Sequence, residues 1–354
     1  MQRKALNQPF EQPRMNLTIH VKKIVSPVLY YSGIIHLLKR LQGYPGIILG
    51  YHRVLPSDSK DISFIQPGMY VTTETFEKHM AFIAQNYKIM RLMDVVNAPS
   101  PKNACIVTFD DGWADNYIYA LPIIKRYGIP ATIFLTTNMV GKSEWPWPDR
   151  LSYYIQSVPE SEFIRSWTTI IQETGLKYQH ESYRYRDRIG FKENIIDFAK
   201  SLETHTLIAL MENVDKIMTN QKRDLMKMRS WLTWDEVQEM KKSDITFGSH
   251  SHNHHILNRI PLNQAQEEVE TSRRILSDKT GSVATMFCYP NGGFNDEIVR
   301  IVSNAGYRIA VTTKPGSING SSSFLTLNRN MLHDDITSTI PMLMSVLANK
   351  IPFF

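Results

Sequence analysis

The stretch Cys105-Ile-Val-Thr-Phe-Asp-Asp-Gly112 decides the fold, because an apolar run ends there in two adjacent carboxylates and a glycine. A strand with a purely structural role has little reason to end in this way. A second apolar run, Ile245–Ser249, leads into His250-Ser-His-Asn-His-His255, and a third, Ala284–Tyr289, leads into Pro290-Asn-Gly292. The three stretches together predict a metal site at the ends of parallel strands.

Short β-rich runs alternate with helical patterns from residue 46 onward, which is typical of a parallel sheet with helical crossovers. The pattern predicts strands at Gly46–Gly50, Ile89–Leu92, Ala104–Phe109, Ala131–Thr136, Ile245–Ser249, Ala284–Tyr289, Arg308–Thr313 and Phe324–Leu327. This number of strands predicts an α/β fold, a barrel of about seven or eight β/α units. We expect an N-terminal arm over residues 1–45, a barrel over 46–335 with a helical insertion at about 150–230, and a C-terminal helix or tail over 336–354.

The positive charge of the chain is concentrated in the arm. The net charge is +6, and residues 1–45 hold seven basic residues and one acidic residue, so the remainder of the chain is formally neutral. A neutral body argues against a nucleic-acid groove, which requires a basic stripe of its own. Hydrophobic residues make up 42% and charged residues 21% of the chain, as in ordinary folded proteins.

Two interpretations of the arm stay open. Its apolar stretch Val28–Leu38 could lie on an anionic membrane surface, or it could pack on the barrel wall as a helix. The stretch is shorter than the roughly 20 apolar residues that span a bilayer, and the long polar lead and Pro27 do not fit a secretion signal. Cys105 and Cys288 both lie in apolar runs and indicate no disulfide framework. We therefore expect a cytoplasmic protein without signal peptide or transmembrane span, and the membrane interpretation of the arm would place it in peripheral contact with the inner membrane.

The strand ends carry a set of side chains suited to a catalytic metal. The C-terminal strand ends of a parallel barrel converge on the face that holds the active site. Two histidines and a carboxylate leave a fourth coordination position open for water, as catalytic sites do. The spacing of His250 and His254 predicts that both imidazoles lie on one face of a helical turn, although pairings that use His252 or His255 stay open.

The two adjacent carboxylates suggest a division of labour. Neighbouring residues at a strand end cannot both point the same way, so one is expected to bind the metal while the other stays free as a base. This arrangement suits hydrolysis, because a metal lowers the pKa of bound water toward about 7 and a nearby carboxylate takes the proton.

These stretches resemble the motifs of a known family, the polysaccharide deacetylases with the NodB homology domain, also called carbohydrate esterase family 4. Thr108-Phe-Asp-Asp-Gly112 resembles the first motif, His250-Ser-His-Asn-His254 resembles the His-Ser/Thr-x-x-His motif, and Tyr289-Pro-Asn-Gly292 resembles the third. The resemblance covers roughly residues 46–330. It implies a distorted barrel of the NodB type and a hydrolase of carbon–nitrogen bonds. The expected reaction removes N-acetyl groups from amino sugars of a polysaccharide, oligosaccharide or lipid-linked precursor in surface polysaccharide synthesis.

The resemblance also implies roles for single residues. Asp110 would be the general base, while Asp111, His250 and His254 would hold a divalent metal, for which Zn²⁺ is the expected ion. The backbone N–H of Asn291 would help to stabilise the oxyanion that forms when water attacks the acetyl carbonyl.

The chain departs from the family pattern at three places. The third motif commonly begins with an arginine that orients the catalytic aspartate, and this chain has Cys288 there. Arg329 is the candidate for that role, and a salt bridge between Arg329 and an unrelated surface acid is the other interpretation. The general acid is usually a histidine in a late Leu-x-Ile-x-His motif, for which His333 is the available counterpart at a different spacing. The fourth motif is not recognisable in Ala305–Gly320.

Two other functions stay open. A catalytically weakened barrel could bind a glycan or scaffold its assembly, and Cys288 and the missing fourth motif favour this alternative. A metal-dependent amidohydrolase that acts on another acyl amide would use the same chemistry, because only the pocket distinguishes the substrates.

Overall fold

The computed structural model describes residues 13–66, 68–176, 188–318 and 323–348. Parts of three predicted segments, residues 1–12 of the arm, 177–187 of the helical insertion and 349–354 of the tail, lie outside the described residues.

The strands of the described residues form one large curled sheet and one small sheet. They are β1 Gly46–Tyr51, β2 Arg53–Leu55, β3 Tyr70–Thr72, β4 Lys88–Ile89, β5 Ala104–Phe109, β6 Ala131–Leu135, β7 Ile245–Ser249, β8 Met286–Cys288, β9 Ile309–Val311, β10 Ser317–Ile318 and β11 Asn330–Met331. The large sheet has the order β10-β1-β5-β6-β7-β8-β9, with β4 beside β5 and β11 beside β1. Its pairs are parallel except for β10, which runs antiparallel to β1. β2 and β3 pair separately.

Helices connect the parallel strands and cover the outside of the sheet. They are α1 Pro13–Tyr31, α2 Ile34–Leu41, α3 Thr73–Asn86, α4 Leu121–Tyr127, α5 Trp147–Ser157, α6 Glu160–Thr174, α7 Arg188–Ser201, α8 Thr204–Ile217, α9 Thr219–Met226, α10 Trp234–Lys241, α11 Leu262–Thr280, α12 Asp296–Asn304, α13 Asp334–Thr337 and α14 Ile340–Leu347. Helices α5 to α9 form the insertion between β6 and β7, and several of them share a separate apolar cluster. The predicted α/β barrel with a helical insertion is thus confirmed as a curled, mostly parallel sheet. Among the helices of the described ranges, none combines the length and apolarity that crossing a bilayer requires.

Both faces of the curled sheet are buried, and this explains why its strands read as continuous apolar runs. Ile48 and Ile106 point into the barrel, where they pack with Cys288. Their chain neighbours Leu49 and Val107 point outward and pack in the cluster beneath the crossover helices. Because side chains alternate along a strand, the residues that continue the inward-pointing series are those whose side chains lie inside the C-terminal end of the barrel.

A short segment between β9 and β1 bonds to both strands. Leu327 forms a parallel bridge with Val311 of β9, and Asn330 and Met331 then pair with β1. Arg329 lies in the middle of this segment, which carries it to the inside of the barrel.

Two strand predictions need correction, and two more predicted strands, Ala284–Tyr289 and Arg308–Thr313, are shortened to Met286–Cys288 and Ile309–Val311. In the predicted strand Phe324–Leu327 the chain is still turning, since the N–H of Thr326 bonds to the carbonyl of Ser323, and the regular strand begins only at Asn330. The predicted strand Ile89–Leu92 is shorter than expected, because Leu92–Val96 winds into a 3₁₀ helix directly after β4.

The arm packs on the barrel through one face. Ile35 of α2 is fully buried against Met344, within α14, and Ala348, just beyond its end, and Leu29 of α1 packs against the same cluster. The buried side of the arm therefore packs on the barrel wall, as one of the two interpretations of the arm predicts.

Candidate active site and metal centre

The sheet places the first acidic residue and the first histidine of the site directly beyond two strands. The N–H of Asp110 donates to the carbonyl of Tyr51 over 2.9 Å, and the N–H of His250 donates to the carbonyl of Leu135 over 2.8 Å. Both bonds continue the parallel ladders by one residue, so the backbone at the two positions is fixed by the sheet.

Asp110 forms a buried, bidentate ion pair with Arg329. Nη1 and Nη2 of Arg329 each lie 2.6 Å from one oxygen of the carboxylate, and the two residues are 0% and 1% exposed. Two further contacts hold the guanidinium, at 3.2 Å to the hydroxyl of Thr108 and 3.2 Å to the carbonyl of Thr312. Burial alone would raise the pKa of Asp110, but Arg329, together with His250 and His52, holds that pKa below its ordinary value. Asp110 is therefore ionised and oriented.

Cys288 lies beside this ion pair. Its Sγ is 3.5 Å from Oδ1 of Asp110 and 3.2 Å from Nη2 of Arg329. The guanidinium of Arg329 thus lies against the position at which the family pattern has an arginine, and it contacts Asp110 and not a surface acid.

Asp111 faces two imidazoles. Its Oδ1 is 3.5 Å from Nε2 of His250 and 3.4 Å from Nε2 of His254, distances that are long for hydrogen bonds. That oxygen is buried without a hydrogen-bond partner in the described residues, while Oδ2 accepts a hydrogen bond of 2.9 Å from the indole N–H of Trp113. Nδ1 of His250 is 2.8 Å from the carbonyl of Cys288, so Nδ1 carries the proton and Nε2 presents its lone pair. One carboxylate oxygen and two imidazole nitrogens fit a divalent metal.

A second group of potential ligands, Asp110, His250 and Cys288, also lies within a small radius. It is a poor metal site, because the Arg329 cation already occupies the oxygens of Asp110 and contacts the sulfur. Burial also raises the pKa of the Cys288 thiol, so the thiolate that a metal needs is disfavoured.

The predicted helical turn at His250–His254 is wrong. The loop is irregular, and Ser251 and His254 have left-handed backbone angles with φ of 63° and 64°. The N–H of His254, which would bond to the carbonyl of His250 in a helical turn, instead donates to Oγ of Ser251 at 3.0 Å. The buried carboxylate of Glu268 accepts the N–H groups of His252 and Asn253, at 3.0 Å and 2.7 Å, and fixes the loop in this shape.

The four histidines of this loop, at positions 250, 252, 254 and 255, point in different directions. His252 contacts the hydroxyl of Thr137 at 3.0 Å, and His255 lies 3.3 Å from Glu268. His250 and His254 remain beside Asp111, with ring centroids 4.8 Å apart. Of the pairings that the spacing left open, the structure brings together 250 and 254.

The two remaining predicted residues lie at the same end of the barrel without contacting Asp110. Asn291 is exposed in the tight turn Pro290–Gly292 after β8, with φ of 51°. His333 follows β11, and its Nδ1 is 3.1 Å from the carboxylate of Asp335, which also accepts the N–H of Gly68. The roles of Asn291 and His333 stay predictions.

Sequence reasoning missed three side chains of the site. His52 follows β1 and places Nε2 4.0 Å from Oδ2 of Asp110. Its position was predictable, because β1 pairs with β5 in parallel and the residues that follow the two strands lie near each other. Trp113 and Glu268 carried no such signal, because their contacts depend on how the loops after the strands fold.

The match to known proteins agrees with this geometry. Residues 97–310 match the family model described as polysaccharide deacetylase. The chain belongs to the polysaccharide deacetylase family. The predicted family and enzyme class, a hydrolase of carbon–nitrogen bonds, are thereby confirmed, and carbohydrate esterase family 4 deacetylases are metal-dependent.

Relatives of this deacetylase family member include two curated proteins. The Bacillus subtilis (strain 168) protein YxkH, named as a polysaccharide deacetylase, is 23% identical over 288 residues, which are 80% of this chain and 69% of that protein. A poly-β-1,6-N-acetyl-D-glucosamine N-deacetylase of Staphylococcus epidermidis is 25% identical over 222 residues, 57% of this chain and 71% of that protein.

Solved structures establish the fold. The Streptococcus pyogenes deacetylase PplD, in complex with acetate, has a TM-score of 0.55 at 17% identity and covers 86% of this chain and 98% of its own. IcaB from Ammonifex degensii has a TM-score of 0.53 at 17% identity and covers 86% of this chain and 97% of its own.

Proposed function

We propose that this protein is a metal-dependent N-deacetylase that removes acetyl groups from amino sugars of a polysaccharide, oligosaccharide or lipid-linked glycan precursor. The observation that carries the proposal is the asymmetry of the adjacent aspartates, since Asp110 is paired with Arg329 and Asp111 faces two imidazoles. The likeness to a poly-N-acetylglucosamine deacetylase supports an N-acetylated glycan as substrate.

Asp111, His250 and His254 would hold the metal, and Zn²⁺ is the ion we propose for this mixed nitrogen and oxygen set. When bound, it would polarise the acetyl carbonyl and lower the pKa of a water molecule. Trp113 fixes one oxygen of Asp111, and the other oxygen is thereby directed at the two imidazoles.

Asp110 acts as the base in this proposal. A carboxylate oxygen has two lone-pair directions, so an oxygen that accepts from Arg329 can still accept the proton of the attacking water. The ion pair keeps the carboxylate charged and fixes its plane. The new bond joins the water oxygen to the acetyl carbon, and the backbone N–H of Asn291 donates to the carbonyl oxygen as its charge develops.

The leaving amine needs a proton when the carbon–nitrogen bond breaks, and His333 is the proposed donor. Asp335 accepts from Nδ1–H of His333, which leaves Nε2 as the group that delivers a proton to the amine. The products are acetate and a free amino sugar.

The proposal includes a cytoplasmic location, peripheral contact with the inner membrane through the arm, and no nucleic-acid partner. The basic arm supports the membrane contact, and the neutral body supports the absence of a nucleic-acid groove.

Acetate release from N-acetylglucosamine oligomers tests the reaction. The purified protein, loaded with Zn²⁺ or another divalent metal, should release acetate, while Asp110→Asn should be inactive and Asp244→Asn, at an exposed site, should match the wild type. No release from any N-acetylated glycan with any divalent metal would sink the proposal. Tight glycan binding without release would favour the weakened barrel, and release of formate in place of acetate from matched amides would favour another acyl substrate.

A further inference from the structure

The arm presents an exposed apolar face. Eight of the fourteen large hydrophobic side chains that are exposed in the described residues fall between positions 21 and 44. They are Val21, Ile24, Val28, Tyr31, Ile34, Leu37, Leu41 and Tyr44. The spacings of three and four positions place those of α1 on one side of that helix and those of α2 on one side of the other. Single exposed hydrophobic residues are ordinary, but seven on two adjacent helices, with Tyr44 just beyond them, indicate a surface that something covers.

The arm itself borders the exposed apolar face with positive charge and contributes no carboxylate to it. The sequence contains no aspartate or glutamate between Gln12 and Ser57. Lys23 and Arg40 are exposed, each beside the apolar row of its own helix. An apolar row bordered by cations fits the boundary between acyl chains and anionic head groups.

A basic pocket opens where the arm joins the barrel. It has a volume of about 350 Å³, and its lining includes His36, Lys39, Tyr44 and Lys102 but no acidic residue. Lys39 donates to the hydroxyl of Tyr87, and burial lowers the pKa of Lys39 to about 8, which leaves it mostly protonated near neutral pH. Because Tyr44 belongs both to the pocket and to the exposed apolar face, the two features adjoin.

The other end of the arm lies near the mouth of the barrel. The hydrogen bond from His333 and, less strongly, the charge of Lys23 hold the pKa of Asp335 below its ordinary value. Helix α1 packs against α13, which contains Asp335, so the end of α1 with Lys23 and the 71% exposed Ile24 belongs to a helix that adjoins the pair of His333 and Asp335. A planar surface against α1 would lie beside the entrance to the site.

We propose that the exposed apolar face of α1 and α2 inserts into an anionic phospholipid bilayer and that the basic pocket binds the phosphate of one lipid head group. This inference gives the peripheral contact of the proposed function a specific surface and a ligand site. It holds or fails independently of the deacetylase reaction, because its test measures binding and no turnover.

Co-sedimentation with vesicles tests the proposal. The full-length protein should bind vesicles that contain equal amounts of phosphatidylcholine and phosphatidylglycerol, and bind phosphatidylcholine alone at least tenfold more weakly. The double variant Ile24→Gln and Leu41→Gln should lose at least tenfold in affinity, since each buried CH₂ contributes about 0.8 kcal/mol. The variants Arg40→Gln and Lys102→Gln should each lose about fivefold, because a basic side chain near an anionic surface contributes about 1 kcal/mol.

Matched controls come from exposed residues of the insertion. Ile208→Gln with Ile217→Gln removes two exposed side chains of α8, and Lys227→Gln removes an exposed charge after α9. Both controls should bind like the wild type. Equal binding of the two vesicle types, no binding by the wild type, or an unchanged Ile24→Gln and Leu41→Gln variant would each overturn the proposal. A further result would also overturn it. If sedimentation shows that the wild type is a dimer and that the Ile24→Gln and Leu41→Gln variant is a monomer, a second copy of the chain covers the face.

Discussion

Arg329 and Asp110 share two hydrogen bonds of 2.6 Å inside the barrel, and the segment that bonds to both β9 and β1 supplies the arginine. The family pattern would supply an arginine from position 288, beside which this guanidinium lies. The guanidinium of Arg329 therefore contacts the proposed base, although it comes from a different part of the chain than in the family pattern. This contact argues against a barrel with weakened catalysis, which the presence of Cys288 alone would favour.

We predict that Arg329→Met abolishes turnover and lowers the free energy of unfolding by about 3–5 kcal/mol, because it leaves a buried carboxylate unpaired. Urea denaturation and acetate release measure the two effects. Arg91→Met is the matched control, since Arg91 makes a similar bidentate pair with Asp244 at an exposed site, where the loss should stay below about 1 kcal/mol. Unchanged turnover in Arg329→Ala would contradict the role assigned to Arg329.

A second substitution separates the stability effect from the catalytic one. Adding Asp110→Asn to Arg329→Met removes the unpaired charge, so the double variant should recover part of the lost stability while turnover stays absent. A double variant that is no more stable than Arg329→Met would show that packing, and not the ion pair, determines the loss.

The sequence predicts the strand ends well because each is marked by a change from apolar to polar residues. Gly46, Ala104 and Ile245 begin strands as expected, and Asp110 and His250 follow their strands as expected. The register of parallel strands then brings these positions to one edge without further information.

What the sequence does not predict depends on contacts between distant loops. The i, i+4 spacing of His250 and His254 suggested a helical turn, but Ser251 is left-handed and its hydroxyl takes the N–H of His254, while Glu268 from α11 fixes the loop through two other N–H groups. The indole of Trp113 can donate to Asp111 only because the chain turns sharply after β5, where Asp111 has a φ of 73°. Such contacts arise in three dimensions and leave no periodic pattern in the chain.

Metal binding should discriminate among the histidines. His254→Gln should lower the affinity for Zn²⁺ by at least a hundredfold in a chelator competition, because it removes one of three ligands. His252→Gln is the control, since that side chain contacts Thr137 and faces away from Asp111. Equal losses in the two variants would assign the metal to a different pair.

Trp113 should tune the metal site without binding the metal. Trp113→Phe keeps an aromatic ring but removes the hydrogen bond to Asp111, so Zn²⁺ affinity should fall by about 10–100-fold. Trp231→Phe is a close control, because Trp231 stacks on Trp113 and its own N–H bonds to the carbonyl of Glu144. If both variants bind Zn²⁺ like the wild type, the indole hydrogen bond does not position Asp111.

His79 should make the stability depend on pH. It is fully buried between the hydroxyl of Tyr51, at 3.1 Å, and the carbonyl of Thr337, at 2.7 Å, and burial lowers its pKa to about 4. In the unfolded chain this imidazole takes up a proton near pH 6.5. Between about pH 6.5 and about pH 4 the unfolded chain therefore binds more protons than the folded chain, and the free energy of unfolding decreases as the pH falls. The expected loss between about pH 7 and about pH 5 is about 2 kcal/mol.

Urea midpoints at the two pH values check this expectation. His79→Gln should show a pH dependence smaller by that amount, while His205→Gln, at a side chain that is 79% exposed, should follow the wild type. Identical pH dependence in wild type and His79→Gln would contradict the assignment to His79.

The division of labour between the adjacent aspartates is tested most directly by measuring bound Zn²⁺ and acetate release on the same samples of Asp110→Asn and Asp111→Asn. We expect Asp110→Asn to keep stoichiometric Zn²⁺ and lose turnover, and Asp111→Asn to lose both. Loss of Zn²⁺ from Asp110→Asn, or turnover that survives in it, would contradict the account.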